Sequence, residues 1–204
     1  MIILHDDKTT WITSDTHYHH TNICRGTTNW RTPEGDIPIT RNFQTIEEMD
    51  NAIVENINKH VRQDDVLIHL GDWSFGGFEK IEEFRNRLNC KNIHLILGNH
   101  DHHIEKNKHN VQSLFLSVSW FQQIKFQHET MECMHYPIES WNSLRKGRIH
   151  LHGHCHLPNH LKISNGRRMD VGMDGNTNFE PYKLSEIIAH LKTQNIGSET
   201  PNMT

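Results

Sequence analysis

Side chains able to bind metal recur in this chain where apolar runs stop. Asp15 and His17 follow "TTWIT", Asp72 follows "VLIHLG", Asn99, His100 and Asp101 follow "NIHLILG", His135 closes "TMECM", and His154 and His156 follow "RIHLHG". Carboxylate, imidazole and amide oxygen in combination suit Mn²⁺, Fe or Zn²⁺, whereas carboxylates alone would suit Mg²⁺ or Ca²⁺. Asp15, His17, Asp72, Asn99, His135, His154 and His156 make seven donors, too many for a single ion that also leaves room for a substrate. With one carboxylate shared, they offer about four protein ligands to each of two ions. Two ions ~3.5–4 Å apart form the clamp used for in-line displacement at phosphorus. Mn²⁺ is the first expectation for this donor set, with Fe, Zn²⁺ or Ni²⁺ as alternatives.

The stretch "IHLHGHCHLP" (149–158) sets His150, His152, His154 and His156 at every second position. In an extended chain all four imidazoles would share one face, with Ile149, Leu151 and Cys155 on the other. On its own this is as compatible with a solvated strand face as with a binding site. Matching polar residues at the ends of four other runs favour the site.

Short apolar runs alternate with helical periodicity, the pattern of an α/β protein. Strands are expected at 9–15, 65–72, 92–101, 148–153 and 167–174, with a hairpin of 120–126 and 130–136 joined through "QHE". The first long helix is expected over 44–61, because Thr45 and Glu48 make a capping box and Met49, Ile53 and Ile57 recur at fourfold spacing. Two more are expected at 79–88, with Ile81, Phe84 and Leu88 inward, and at 184–193, capped by Ser185. In open α/β sheets the carboxyl ends of strands border the ligand crevice, so the donors could meet at one edge. Residues 24–43 and 101–119 read as long connections of the kind kept for substrate contact. In the first of them Arg25, Arg31 and Arg41 could pair with phosphate oxygens. Trp73 and Phe75 could stack on a base or simply pack.

The 204 residues suit one domain, with a core over about 9–193 and a frayed tail over about 194–204. A composition of 34% hydrophobic and 23% charged residues excludes collagen-like and strongly disordered classes. The net charge of −4 is scattered and gives no basic stripe, so neither stable binding of long nucleic acids nor binding to an anionic membrane is expected. No run reaches membrane-spanning length, and "MIILHDDKTTW" lacks the apolar core of a secretory signal, so the cytoplasm is the expected location. The four cysteines are widely separated and form no C-x-x-C pair, which points to thiols in a reducing compartment. Nineteen histidines are too many for a chain of this size to pass without explanation. The oligomeric state is not legible.

"SDTH" (14–17), "GD" (71–72), "GNHD" (98–101), "MHYP" (134–137) and "HGHCH" (152–156) resemble, in order, the five motifs of the calcineurin-like metallophosphoesterases. "MDVGMD" and "YKLSEI" look more loosely like the closing strand and helix of its small bacterial and phage members. The resemblance implies two mixed β-sheets packed as a sandwich and flanked by helices, in four αββα layers. It implies a first ion on Asp15, His17, Asp72 and His156, a second on Asp72, Asn99, His135 and His154, and a bridging hydroxide as nucleophile. His100 is similar to the family's general acid, with Asp101 expected to orient its ring. His20 matches a position of related small phosphoesterases that could touch substrate, while His19 stands where they carry glycine. His150 and His152 are not family ligands, although His152 could support one, and Cys155 fills a variable position.

The expected activity is hydrolysis of phosphate esters, with a phosphodiesterase on small nucleotide-type substrates ahead of a phosphomonoesterase. A non-catalytic metal-binding or scaffold protein of the same fold is the alternative from another class, although none of the ligand positions is vacated.

Overall fold

The computed structural model describes residues 1–5, 8–25, 40–158 and 166–198. Arg31 and most of the first long connection lie outside these residues, and the expected tail is described only to residue 198. Among the described residues, ten strands form two five-stranded sheets. The first sheet runs β1 (Ile2–Leu4), β6 (Phe121–Phe126), β7 (Glu129–Met134), β8 (Ile149–His152) and β9 (Arg168–Asp170). The second runs β10 (Tyr182–Lys183), β2 (Thr10–Thr13), β3 (Val66–His69), β4 (Asn92–Ile96) and β5 (Ser117–Ser119). Both sheets are mixed. β2 to β5 are parallel and β10 is antiparallel to β2, while in the first sheet the β6–β7 hairpin is the antiparallel pair.

Strand alternation divides the core in two. Ile12, Val66, Ile68 and Ile96 from the second sheet meet Ile124, Met131, Ile149 and Leu151 from the first. The intervening Leu67, Ile93 and Leu95 turn the other way, under α1 (Ile46–His60) and α2 (Phe78–Arg87). α1 lays Met49, Ile53 and Ile57 on that face, each fully buried, and such burial is worth about 1.5–3 kcal/mol per side chain. Its start follows the capping expectation: the Thr45 hydroxyl accepts from Glu48 N at 3.1 Å. The Glu48 carboxylate reaches back one residue further than expected, to Gln44 N. The outer face of the first sheet carries Glu132 and His150, and Trp141 from the connection after β7 packs on His150 at 5.3 Å. The α4 helix (Leu184–Lys192) buries Leu184, Ile187, Ile188 and Leu191 in the core between the sheets.

The fold class matches the expectation, and several local readings need correction. β1 and β5 were not anticipated, because neither three-residue edge strand shows an alternation to read: "IIL" is apolar throughout and "SVS" has one apolar residue. The connection after β4 also holds α3 (His102–Glu105) and a 3₁₀ segment over Lys108–Leu114. Ser185 does not cap α4: the helix begins at Leu184 as expected and follows β10 directly, with Lys183 at the cap position, buried Leu184 as its anchor and Ser185 inside its first turn. β8 ends at His152, so only His150 and His152 lie on the strand.

Candidate metal centre

The seven donors converge because β2, β3 and β4 run parallel and end together, as do β7 and β8 in the other sheet. Hydrogen bonds beyond the strands hold the ends in step: Asp15 N donates to Gly71 O and His17 N to Asp72 O, both at 2.9 Å, and Gly153 N donates to His135 O at 2.9 Å. A bridge between Ser14 and Gly172 joins the two sheets at this edge. Asp15, His17, Asp72, His154 and His156 all adopt left-handed backbone, with φ between 47° and 73°. Non-glycine residues avoid that region, and such strain persists only where the surroundings over-determine it. His154 and His156 therefore reach the site through a turn after Gly153 and not by continuing the strand. Gly153 has to be glycine, because a Cβ there would strike Ser14 Oγ and Asp15 Oδ2. Gly98 is likewise pressed against Asp72 and His135.

The donor atoms fall into two groups. Asp15, His17 and His156 form one, and Asp72, His135 and His154 the other, with the ligand atoms of each group within 4.8 Å of one another. Asn99 Oδ1 joins the second group, 3.0 Å from His135 Nε2 and 2.9 Å from His154 Nδ1. Asp72 stands between them: its Oδ2 is 3.4 Å from His17 Nε2 and 3.4 Å from His135 Nε2, while its Oδ1 accepts from His100 N at 2.9 Å. The arrangement fits divalent cations. His135 Nδ1–H donates to Leu70 O at 2.7 Å and His156 Nδ1–H to Asp174 Oδ2 at 2.8 Å, which turns both Nε2 lone pairs inward. His17 Nε2 and His156 Nε2 are only 3.1 Å apart. Two lone pairs so close need a cation between them, whether a proton or a metal ion.

The electrostatics follow from burial among these charges. Burial raises the Asp15 carboxyl to about 6 against the pull of His156 and His135. Burial also disfavours charge on Asp72, but the hydrogen bond and charge of His135 outweigh it and hold Asp72 well below the usual carboxylate range. His135 and His156 overcome their own burial and rise to about 9, the first beside Asp72 and Asp15, the second beside Asp174 and Asp15. Burial and the neighbouring His156 push His17 well down. The carboxylates thus draw positive charge into the cluster, and a metal ion would compete with protons for the same nitrogens.

Several expected roles change. Asp101 does not orient the His100 ring; its buried carboxylate accepts from Asp72 N and Gly98 N at 2.8 Å and from Trp73 N at 2.9 Å, clamping two strand ends together. With three backbone donors on its two oxygens, this carboxylate is aimed at the strand ends and not at the ring. Arg41 is fully buried and donates to Asp174 and to the carbonyls of Asp15 and Thr16, so it offers nothing to a substrate. Arg25 is exposed and donates to Gln44 O. His20 stacks on Phe75 with centroids 3.5 Å apart, and its Nδ1 is 3.3 Å from His17 Nδ1. Burial and the nearby His100 lower His20 to about 4, which leaves it neutral near pH 7. His19 turns away to Asp50. The His100 ring sits at the rim, 4.8 Å from Phe75 and 5.3 Å from His17 between centroids. Trp73 is core, packed on Phe84 and Phe115.

Two supporting residues were not foreseen. His69 is fully buried; its Nε2 meets Thr16 Oγ1 at 2.9 Å and its Nδ1 accepts from Gly71 N, joining the loops that carry Asp15 and Asp72. Asp174 holds His156 from outside, and the "MDVGMD" stretch that contains it was the one available signal. Next to the centre, His152, Cys155 and Asp170 also gather, with potential ligand atoms within 4.8 Å of one another.

The family model for calcineurin-like phosphoesterases matches residues 8–185. The uncharacterized protein MJ1445 of Methanocaldococcus jannaschii is 29% identical over 184 residues, 87% of this chain and 88% of that protein. Among solved structures, the protein of unknown function AQ665 from Aquifex aeolicus overlays with a TM-score of 0.64 at 21% identity, covering 90% of this chain and 99% of that one. A novel archaeal phosphodiesterase overlays with a TM-score of 0.48 at 20% identity, over 80% of this chain and 83% of that one. No helix among the described residues is long and apolar enough to cross a membrane. With its motifs at the converging strand ends and the family model spanning most of its length, the chain belongs to the calcineurin-like phosphoesterases and is a hydrolase of phosphoric esters.

Proposed function

We propose that this chain is a two-metal phosphoesterase with a preference for phosphodiesters of small, nucleotide-type molecules. The observation that carries the two-metal reading is Asp72 Oδ2, which lies 3.4 Å from a histidine of each donor group. Asp15, His17, Asp72 and His156 would hold one ion, and Asp72, Asn99, His135 and His154 the other. Mn²⁺ suits a donor set of imidazole, carboxylate and amide without thiolate. When bound, the ions supply Lewis acidity at the phosphoryl oxygens and lower the pKa of a coordinated water enough for attack near neutral pH.

The remaining work belongs to the chain. Asp101 ties Asp72 N and Gly98 N to one carboxylate, so the two loops that flank the shared donor keep a fixed spacing. The His100 ring stands beside the donors with its backbone N–H held by Asp72 Oδ1. From there an imidazole N–H gives its proton to the leaving oxygen as the ester bond breaks.

Charge supports the diester preference. A phosphomonoester carries about −1.5 to −2 near pH 7 and is commonly met by arginine or lysine, whereas a diester carries one negative charge. The clefts beside the centre are lined by His20, Phe75, Ser74, His100 and their neighbours, with no lysine or arginine among the described lining residues. Assay of a bis-aryl against a mono-aryl phosphate with Mn²⁺ tests the reading: the diester should turn over faster, and a strong monoester bias would reverse the assignment. In the same assay His100→Gln should lower kcat by about 10²- to 10⁴-fold with metal content unchanged. Unaltered kcat on a poor leaving group would remove His100 from the proton transfer.

A further inference from the structure

We infer that Asp174, held in place by Arg41, is a positioning pair that builds the first donor group and sets its metal affinity independently of the second. The inference rests on the two-metal reading above and adds two residues that do not themselves face the ions. Asp174 Oδ2 accepts from His156 Nδ1 at 2.8 Å and from Arg41 Nη2 at 2.8 Å; its Oδ1 accepts from Arg41 Nε at 2.9 Å and from Thr40 Oγ1 at 2.8 Å. A carboxylate with four donors on two oxygens cannot turn, so the His156 ring it holds cannot turn either. A carboxylate behind a metal-binding imidazole fixes its tautomer and makes it a more basic ligand.

The other end of the guanidinium completes the device. Arg41 Nη1 donates to Thr16 O at 3.0 Å, and Nη2 also donates to Asp15 O. Those carbonyls belong to the loop in which Asp15 and His17 adopt φ of 57° and 47°. One buried guanidinium therefore ties together the loop of Asp15 and His17 and the carboxylate behind His156. The second group is supported differently, with His135 leaning on Leu70 O. Both side chains of the Arg41–Asp174 pair are 0% exposed. A buried ion pair is weak evidence for stability, and its best-attested use is to fix one arrangement over others. Lysine could not replace the fork, because it lacks the planar donor set that meets a carboxylate and two carbonyls at once.

A mere fastener for residues 40 and 41 would lower thermal stability and leave the two affinities alone; a positioning pair separates them. Equilibrium dialysis with Mn²⁺, read together with the electron paramagnetic resonance of coupled against isolated Mn²⁺, tells the two apart. In Asp174→Asn and in Arg41→Lys the first ion should bind about 10- to 100-fold more weakly, with the second within about threefold of wild type. Asp174→Glu should recover part of the loss. Unchanged affinities for both ions, or equal weakening of both, would overturn the inference. Wild-type protein that takes up fewer than two ions would instead defeat the two-metal reading, and the imidazole spectrum of the Zn²⁺-loaded wild type then decides alone, as it does if the variants do not fold. There His156 should bind through Nε2 and keep a slowly exchanging proton on Nδ1. Binding through Nδ1, or a rapidly exchanging Nδ1 proton, would refute the role of Asp174.

Discussion

The two donor groups differ in what stands behind them. Asp15 and His17 are buried, His156 is nearly so, and side chains back the histidines: His20 behind His17, and Asp174 with Arg41 behind His156. In the other group Asn99 and His154 are exposed, and His135 is oriented by the carbonyl of Leu70. The first group is assembled by distant parts of the chain before any ion arrives, so little ordering remains to be done on binding. The second opens to solvent, where exchange of ion, water and substrate is easiest. On the two-metal proposal, a deep preorganised position beside an open one would let a single edge of the sandwich hold charge firmly and still admit a substrate.

Asp72→Asn attacks the residue that joins the groups and should have the largest effect. It weakens the one oxygen facing both histidines, so turnover should fall by more than the roughly 10²-fold seen when an outer partner is lost, with metal analysis showing less than the wild-type content. Full turnover would end the two-metal reading. Asn99→Ala removes a donor from the open group alone and should weaken one ion by about 10-fold or more, as read by dialysis. If both ions weakened equally, the contrast between the groups would fail.

The smallest effect is a difference in pH slope. As proposed ligands, His135 and His156, raised to about 9, would each have to lose a proton to bind metal, so below that pH both affinities should fall by about tenfold per unit as protons compete. Asp15, raised to about 6, adds a second proton to the first group only, so below that value its affinity should fall more steeply than that of the second. Calorimetric titration with Mn²⁺ across the range checks it; parallel slopes would remove Asp15 from the comparison.

Long, strongly periodic segments could be read directly: α1, with its Thr45 cap and its Met49–Ile53–Ile57 stripe, differs from expectation by a residue or two at its ends. The short edge strands β1 and β5 could not, because their hydrogen bonds come from a neighbour and not from their own pattern. In "IHLHGHCHLP" the alternation that placed four histidines on one face held only to His152, after which left-handed turns aimed His154 and His156.

By itself the sequence determined which donor types end each apolar run and in what order, since a strand must stop where its apolar residues stop and its last side chains face the sheet edge. Tertiary structure alone decided the work of the remaining charges. Arg41 stands 133 residues from Asp174, and Asp101 holds the backbone of Asp72, 29 residues back. A carboxylate or guanidinium carries no mark of its partner in its own neighbourhood; once buried, it is committed to whichever donors and acceptors the fold sets within about 3 Å.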